Sequence, residues 1–184
     1  MQNKVSIITV SGFPNSGKST LAESLALLLR YKRHYTGGIF RDMAKERHMT
    51  IEEFYPTVTP EIEREVDHIQ ERLMHTERRI IVEGRISPFL APKIPKLTVF
   101  LTVDGRISAE REKLRTRKFA RYSLARVEEI VRNRVAAERE HYRNLYGIKD
   151  HMDPSLFDIV IDTSDISRHE VTIKVLKMLM GRIE

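Results

Sequence analysis

The sequence predicts a three-layer α/β/α domain around a mostly parallel, five-stranded sheet. Three observations carry this reading. Gly12-Phe13-Pro14-Asn15-Ser16-Gly17-Lys18-Ser19 fits G-x-x-x-x-G-K-[ST] at every fixed position. Short, mostly apolar runs recur along the chain, as strands buried on both faces require. Well-marked helix starts separate those runs.

The first run, Val5–Val10, is β-branched and ends at the glycine loop, and a helix with leucines at helical spacing begins near Thr20. Strand, loop and helix N-terminus form a cradle whose backbone N–H groups and helix dipole favour phosphate. Lys18 reaches the β/γ-phosphates and Ser19 can hold Mg²⁺, so the motif predicts a bound nucleoside triphosphate. Gly12, Asn15, Ser16, Gly17, Lys18, Ser19 and Thr20 are the candidate ATP-binding residues. The fold class is thus that of the P-loop NTPases.

A weak strand signal at His34-Tyr35-Thr36 precedes Gly37-Gly38, which open a helix. Ile39, Phe40, Met43 and Ala44 supply its apolar face, and Arg41 projects from its first turns. Thr50–Glu53 reads as a capping box, and Thr59-Pro60 places a cap before a proline at the first helical position. Ile80–Val82 is the next strand, followed by Glu83-Gly84-Arg85. Ligands in such sheets sit at the carboxyl ends of the strands, so Arg85 is expected to fork onto phosphate oxygens there. Glu83 either supports Mg²⁺ or pairs with a basic neighbour.

Leu97–Val103 is a strand, and a helix from about Arg106 to Arg117 is expected to turn Ile107 and Leu114 inward with Arg111 between them. The basic stretch 115–122 is either a lid that closes over phosphates or an exposed helix–helix turn. Ser123 caps a long helix that Gly147 stops. Its buried stripe, Val127 and Val131, continues through Arg134, Glu138 and Tyr142. Arg134 and Glu138 either satisfy one another at i,i+4 or await a ligand. Phe157–Ile161 is the last strand, and the loop Asp162–Ile166 passes near a nucleotide base or is a plain turn before the capping box Ser167–Glu170.

Length and composition bound the rest. At 184 residues the chain suits one domain. No apolar run approaches the ~20 residues of a membrane span, and the short start before the first strand leaves no room for a signal peptide. The chain has no cysteine, which excludes disulfides and thiolate metal sites. A net charge of +6 suits anionic partners, yet there is no dense Lys/Arg tract or RNP-type motif. The expectation is a soluble, cytoplasmic monomer with phosphorylated small-molecule partners and neither membrane nor nucleic acid.

The chain resembles the cytidylate kinases, and within them the short archaeal-type branch. The resemblance rests on Gly12–Thr20, Gly37–Arg41 with Ala44–Arg47, Glu83-Gly84-Arg85, Arg134 with Glu138, Tyr146-Gly147-Ile148 and Asp162-Thr163-Ser164, in order over nearly the whole chain. It implies a nucleoside monophosphate kinase fold with an acceptor-binding region at about 36–76 and a lid at about 115–122. It implies phosphorylation of CMP or dCMP by ATP with Mg²⁺. It puts Thr36, Arg41, Arg85, Arg134 and Glu138 near the acceptor, Arg111 and Arg117 near the transferring phosphates, and Thr163 near the ATP. The larger bacterial relatives carry an acceptor-side insert for which 40–79 is too short, and an aspartate where this chain has Ile86. The rival readings are another small-molecule P-loop kinase, a nucleic-acid-linked NTPase and a non-catalytic nucleotide switch.

Overall fold

β1 (Ile7–Gly12) runs through the middle of the sheet, and all six of its residues are buried. That is why its sequence is an unbroken apolar and small-residue run rather than an alternating one. The computed structural model describes residues 4–183, without the side chains of Ile51, Glu52 and Tyr55. Around β1 lie β2 (Lys32–Tyr35), β3 (Ile80–Glu83), β4 (Leu97–Thr102) and β5 (Ile159–Asp162) in the order β2-β3-β1-β4-β5, every pair parallel. The register sets Val10 opposite Glu83 and Val99, Glu83 opposite Tyr35, and Thr102 opposite Asp162. The carboxyl ends therefore share one edge. β2 and β3 lie on one side of β1 and β4 and β5 on the other, so the crevice where the winding reverses opens at the end of β1.

α1 (Lys18–Leu29) and α7 (Arg168–Leu179) cover one face, where Leu21, Leu25, Val171, Val175 and Leu179 pack against Ile8, Val10, Val99 and Ile161. On the other face Ile7, Ile80 and Val82 meet Met74 of α4 (Pro60–Thr76), with Tyr142 and Tyr146 of α6 (Leu124–Tyr146) alongside. α2 (Thr36–Glu46), α3 (Ile51–Phe54) and α4 share a smaller core of Met43, Ala44, Phe54 and Val66. α5 (Gly105–Arg115) pairs with α6 through Ala109, Val127 and Val131.

The expected caps form. Thr59 accepts from Ile62 N, Ser123 from Arg126 N, and Ser167 with Glu170 makes a complete capping box. Gly147 ends α6 in the left-handed conformation. Several expectations change, among them the last strand, which begins at Ile159 rather than Phe157, and α5, which ends at Arg115 rather than Arg117. The first strand begins at Ile7 rather than Val5, which instead bridges to Ile183. β2 ends at Tyr35, and Thr36 starts α2. Leu114 does not face inward: it is 88% exposed, and the inward face of α5 is Ser108, Ala109 and Glu112. Glu112 can be buried because Thr116 and Arg115 bond its carboxylate at 2.7 and 2.8 Å. No helix among the described residues is long and apolar enough to cross a membrane.

Candidate active site

The glycine loop is built against β4. Gly12 has φ 148°, and a Cβ there would stand 2.3 Å from the Leu101 carbonyl oxygen. Only glycine lets Phe13 N donate to that oxygen at 2.9 Å. At the far end Gly17, φ 89°, is the N-cap of α1 and supplies no capping side chain. The first-turn N–H groups are thus left for an anion. Within the loop the Ser16 hydroxyl is buried with no hydrogen-bond partner among the described residues, a donor that a phosphate oxygen would satisfy. Lys18 Nζ donates to Phe13 O at 2.8 Å. Burial first, and then the Arg85 guanidinium, hold its pKa well below the usual lysine range. Bound phosphates, as nearby negative charges, would raise it again.

Beside the loop, Ser19 Oγ donates to Glu83 Oε1 at 2.5 Å. The other oxygen of Glu83 accepts from Arg33 Nη2 at 2.6 Å and Arg33 Nε at 3.0 Å. A hydroxyl and a carboxylate suit a hard cation such as Mg²⁺. Among the described residues no group of three His, Cys, Asp or Glu side chains could hold a metal unaided. The donor set therefore fits an ion brought in with nucleotide phosphates, which complete its oxygen shell.

A cleft of about 300 Å³ opens over the loop, lined by Lys18, Ser19, Arg85, Arg111, Arg115 and Arg134. Arg85 enters from the turn after β3, where Nη1 donates to Gly12 O at 3.0 Å and Nη2 to Glu138 Oε1 at 3.2 Å. Arg134 Nε donates to the same Oε1 at 2.9 Å. The i,i+4 pair thus exists, but it is shared with a third residue from another element. Glu138 Oε2, 3.1 Å from Arg85 Nε, has no aligned hydrogen bond. Arg117 is turned outward in a 3₁₀ turn over Arg117–Phe119, whereas Arg115 lines the cleft. Within the basic stretch Phe119 is buried against Ala109, Val127 and Val131.

A second cleft of about 420 Å³ lies on the other side of the loop, lined by Asn15, Thr20, Arg111, Thr163, Ile166 and Arg168 among others. Arg111 ties its walls together, donating to Asn15 O at 3.2 Å, Thr163 Oγ1 at 3.1 Å and Thr163 O at 2.6 Å.

Across the sheet edge, Thr36 Oγ1 donates to Glu83 O at 3.1 Å. A Cβ on Gly84 would sit 2.3 Å from Ser87 Oγ and 2.4 Å from Thr36 Oγ1. Ser87 donates to Gln70 Oε1 at 2.7 Å, Gln70 donates to Asp67 Oδ1 at 3.1 Å, and Tyr146 donates to Asp67 Oδ2. Burial pushes the Asp67 pKa up to about 6, against the opposing Tyr146 hydrogen bond. Arg41 is exposed and donates to Tyr35 Oη and Gly37 O, both at 3.1 Å.

Sequence reasoning did not find Arg33 or the Asp67–Gln70–Ser87 chain, and it placed Arg115 only as the start of the candidate lid. Arg33 lies in a strand whose four residues are all polar or aromatic, so no apolar pattern sets it apart. Arg115 is one of several adjacent basic residues. Asp67 and Gln70 lie on an inward face of α4, and their spacing of three was a readable signal.

Comparisons with known proteins find relatives over most of the chain. A model of the AAA domain matches residues 8–143. A cytidylate kinase of Pyrococcus furiosus is 42% identical over 163 residues, covering 86% of this chain and 80% of that protein. A cytidylate kinase of Methanopyrus kandleri is 36% identical over 182 residues, covering 93% of this chain and 91% of that protein. Among solved structures, an uncharacterised protein of Eubacterium ventriosum superposes with a TM-score of 0.73 at 16% identity, over 96% of this chain and 99% of that one. A shikimate kinase of Bacteroides thetaiotaomicron gives 0.65 at 16% identity, over 95% and 98%. At those identities the solved structures speak for the fold alone.

Proposed function

The chain belongs to the cytidylate kinase family of P-loop phosphotransferases, and from that premise we propose that it transfers the γ-phosphoryl group of ATP to CMP and dCMP. The observation that carries the reading is the cleft in which Lys18, Arg85, Arg111, Arg115 and Arg134 converge over the phosphate loop. A site for one triphosphate alone does not need so many cations. Two phosphorylated substrates meeting end to end do.

In this reading ATP lies along the loop. Its phosphates take the backbone N–H groups of Gly12–Thr20, the Ser16 hydroxyl and Lys18, and its nucleoside extends past Asn15, Arg111 and Thr163 into the larger cleft. The acceptor phosphate is drawn to Arg85 and Arg134, which Glu138 holds side by side. Thr36 and Arg41 lie on the acceptor side, with Glu138 Oε2 left to accept from the acceptor's own donors. Mg²⁺, held by Ser19 with Glu83 behind it, would neutralise charge on the β- and γ-phosphates.

The attacking oxygen belongs to a phosphate already ionised at neutral pH, so no side chain has to remove a proton. Alignment and charge cancellation then do the chemistry. Lys18, Arg111 and Arg115 all line the cleft in which the transferring group would pass. Arg117 would join them only if the stretch 115–122 closes. The test is a reaction with ATP, Mg²⁺ and CMP: CDP and ADP should form in equal amounts, and ADP formed without CDP would instead indicate a hydrolytic NTPase.

A further inference from the structure

We infer that Arg33 is a positioning residue for the metal side of the site, holding the Glu83 carboxylate with one oxygen turned to Ser19. This rests on the reading of Ser19 and Glu83 as the Mg²⁺ side. Glu83 is buried at the end of β3, and its two oxygens have separate duties. Oε1 takes the Ser19 hydroxyl, and Oε2 takes both Nε and Nη2 of Arg33. With two N–H groups of one guanidinium on Oε2 and the Ser19 hydroxyl on Oε1, the carboxylate is held at both oxygens.

Arg33 is itself braced. Nη1 donates to Glu23 Oε1 of α1 at 2.7 Å, and the guanidinium carbon lies 4.6 Å from the centre of the Tyr35 ring. Glu23, Arg33, Glu83 and Ser19 form one chain of charge-assisted contacts that links β2 and β3 to α1 at two points, Ser19 in its first turn and Glu23 further along. Without Arg33, a buried carboxylate would lose its cation, and unpaired buried charge is costly. Lys18, which already feels the Glu83 charge, is the next cation available. A carboxylate drawn onto Lys18 withdraws one group from the metal and the other from the phosphates.

The test is ATP affinity by calorimetry across a Mg²⁺ titration, for wild type, Arg33→Met and Arg33→Lys, with thermal melting as the control for folding. Arg33→Met should raise the Mg²⁺ concentration for half-maximal tightening of ATP binding by about tenfold, the usual effect of losing an outer-shell partner. Arg33→Lys keeps the charge without the fork and should raise it about threefold. Metal-free ATP affinity should fall by less than that, because the backbone cradle is untouched and only Lys18 is drawn aside. An unchanged Mg²⁺ titration in Arg33→Met, whatever its melting temperature, would make Arg33 a structural strap and overturn the inference alone. If wild type binds ATP without regard to Mg²⁺, the metal reading of Ser19 and Glu83 falls with it. Should Arg33→Met fail to fold, Arg33→Lys decides: a shift supports the role and none refutes it.

Discussion

Arg85 and Glu138 meet at the rim of the phosphate loop, Nη2 donating to Oε1 at 3.2 Å and Nε standing 3.1 Å from Oε2. Arg85 also donates to Gly12 O at 3.0 Å, so one side chain ties the loop, the turn after β3 and α6 together. Arg134 on the same carboxylate completes a pair of cations facing the cleft. Two guanidinium groups side by side repel; the carboxylate between them is what makes the arrangement stable, and what the acceptor phosphate would find already assembled.

Glu138→Gln should therefore weaken acceptor binding more than turnover. The amide keeps one acceptor but turns an NH₂ toward an arginine and removes the charge that holds both cations. KM for CMP is expected to rise about tenfold with KM for ATP nearly unchanged, and preference for CMP over UMP should narrow. Steady-state kinetics with each substrate varied will show this. Equal rises in both KM values would mean that Glu138 only supports the loop.

Lys18→Ala should lower kcat by about 100-fold or more, the usual result of removing a charge-stabilising donor from a phosphoryl transfer site. The fold should survive, since among the described residues the ammonium bonds only Phe13 O, and it sits in the cleft at a desolvation penalty. Near-normal turnover in a folded variant would remove Lys18 from the mechanism.

The buried Asp67 sets a pH signature. Its pKa is about 6 in the fold against 3.8 for a free aspartate. The native state therefore holds more protons between those values, and this group costs stability as pH rises through them. Relative to wild type, Asp67→Asn should gain up to about 3 kcal/mol on going from pH 4 to pH 7. The neutral buried His151, with its pKa pushed down to about 4 chiefly by burial, has the opposite slope, but it is common to both proteins and cancels in the difference. Urea unfolding of both proteins at the two pH values measures it. Parallel stabilities would mean that Asp67 titrates normally.

The stretch 115–122 should exchange its amide hydrogens faster in the free protein than with a bisubstrate analogue bound, by about tenfold or more. Its side chains other than Phe119 are mostly exposed; Arg115 already pairs with Glu112, and Arg117 and Arg121 would gain phosphate partners on closure. Equal protection in the two states would count against closure.

What could be read from the chain was what local rules govern. The glycine loop, the capping boxes and the both-faces-buried strands depend on short spacings, and the sheet and helices follow them. Leu114 misled because helical periodicity assigns faces without knowing what covers them: α5 turns Ala109 to α6, which leaves Leu114 in solvent. Arg134 and Glu138 were legible as a pair, but the third partner, Arg85, is 49 residues from the nearer of them in sequence and arrives only through the crossover from β3 to α6. Arg33 and Asp67 matter through contacts 50 and 79 residues away, to Glu83 and Tyr146, and no local pattern announces such pairs.

The most direct test of the central claim is a panel of initial rates with ATP, Mg²⁺ and each nucleoside monophosphate in turn, with CMP and UMP also in direct competition. The account predicts that CMP and dCMP are phosphorylated best, that UMP follows because a second carbonyl stands where cytosine presents its amino group to a carboxylate, and that AMP and GMP lag behind. A preference for AMP, or no transfer to any pyrimidine monophosphate, would contradict it.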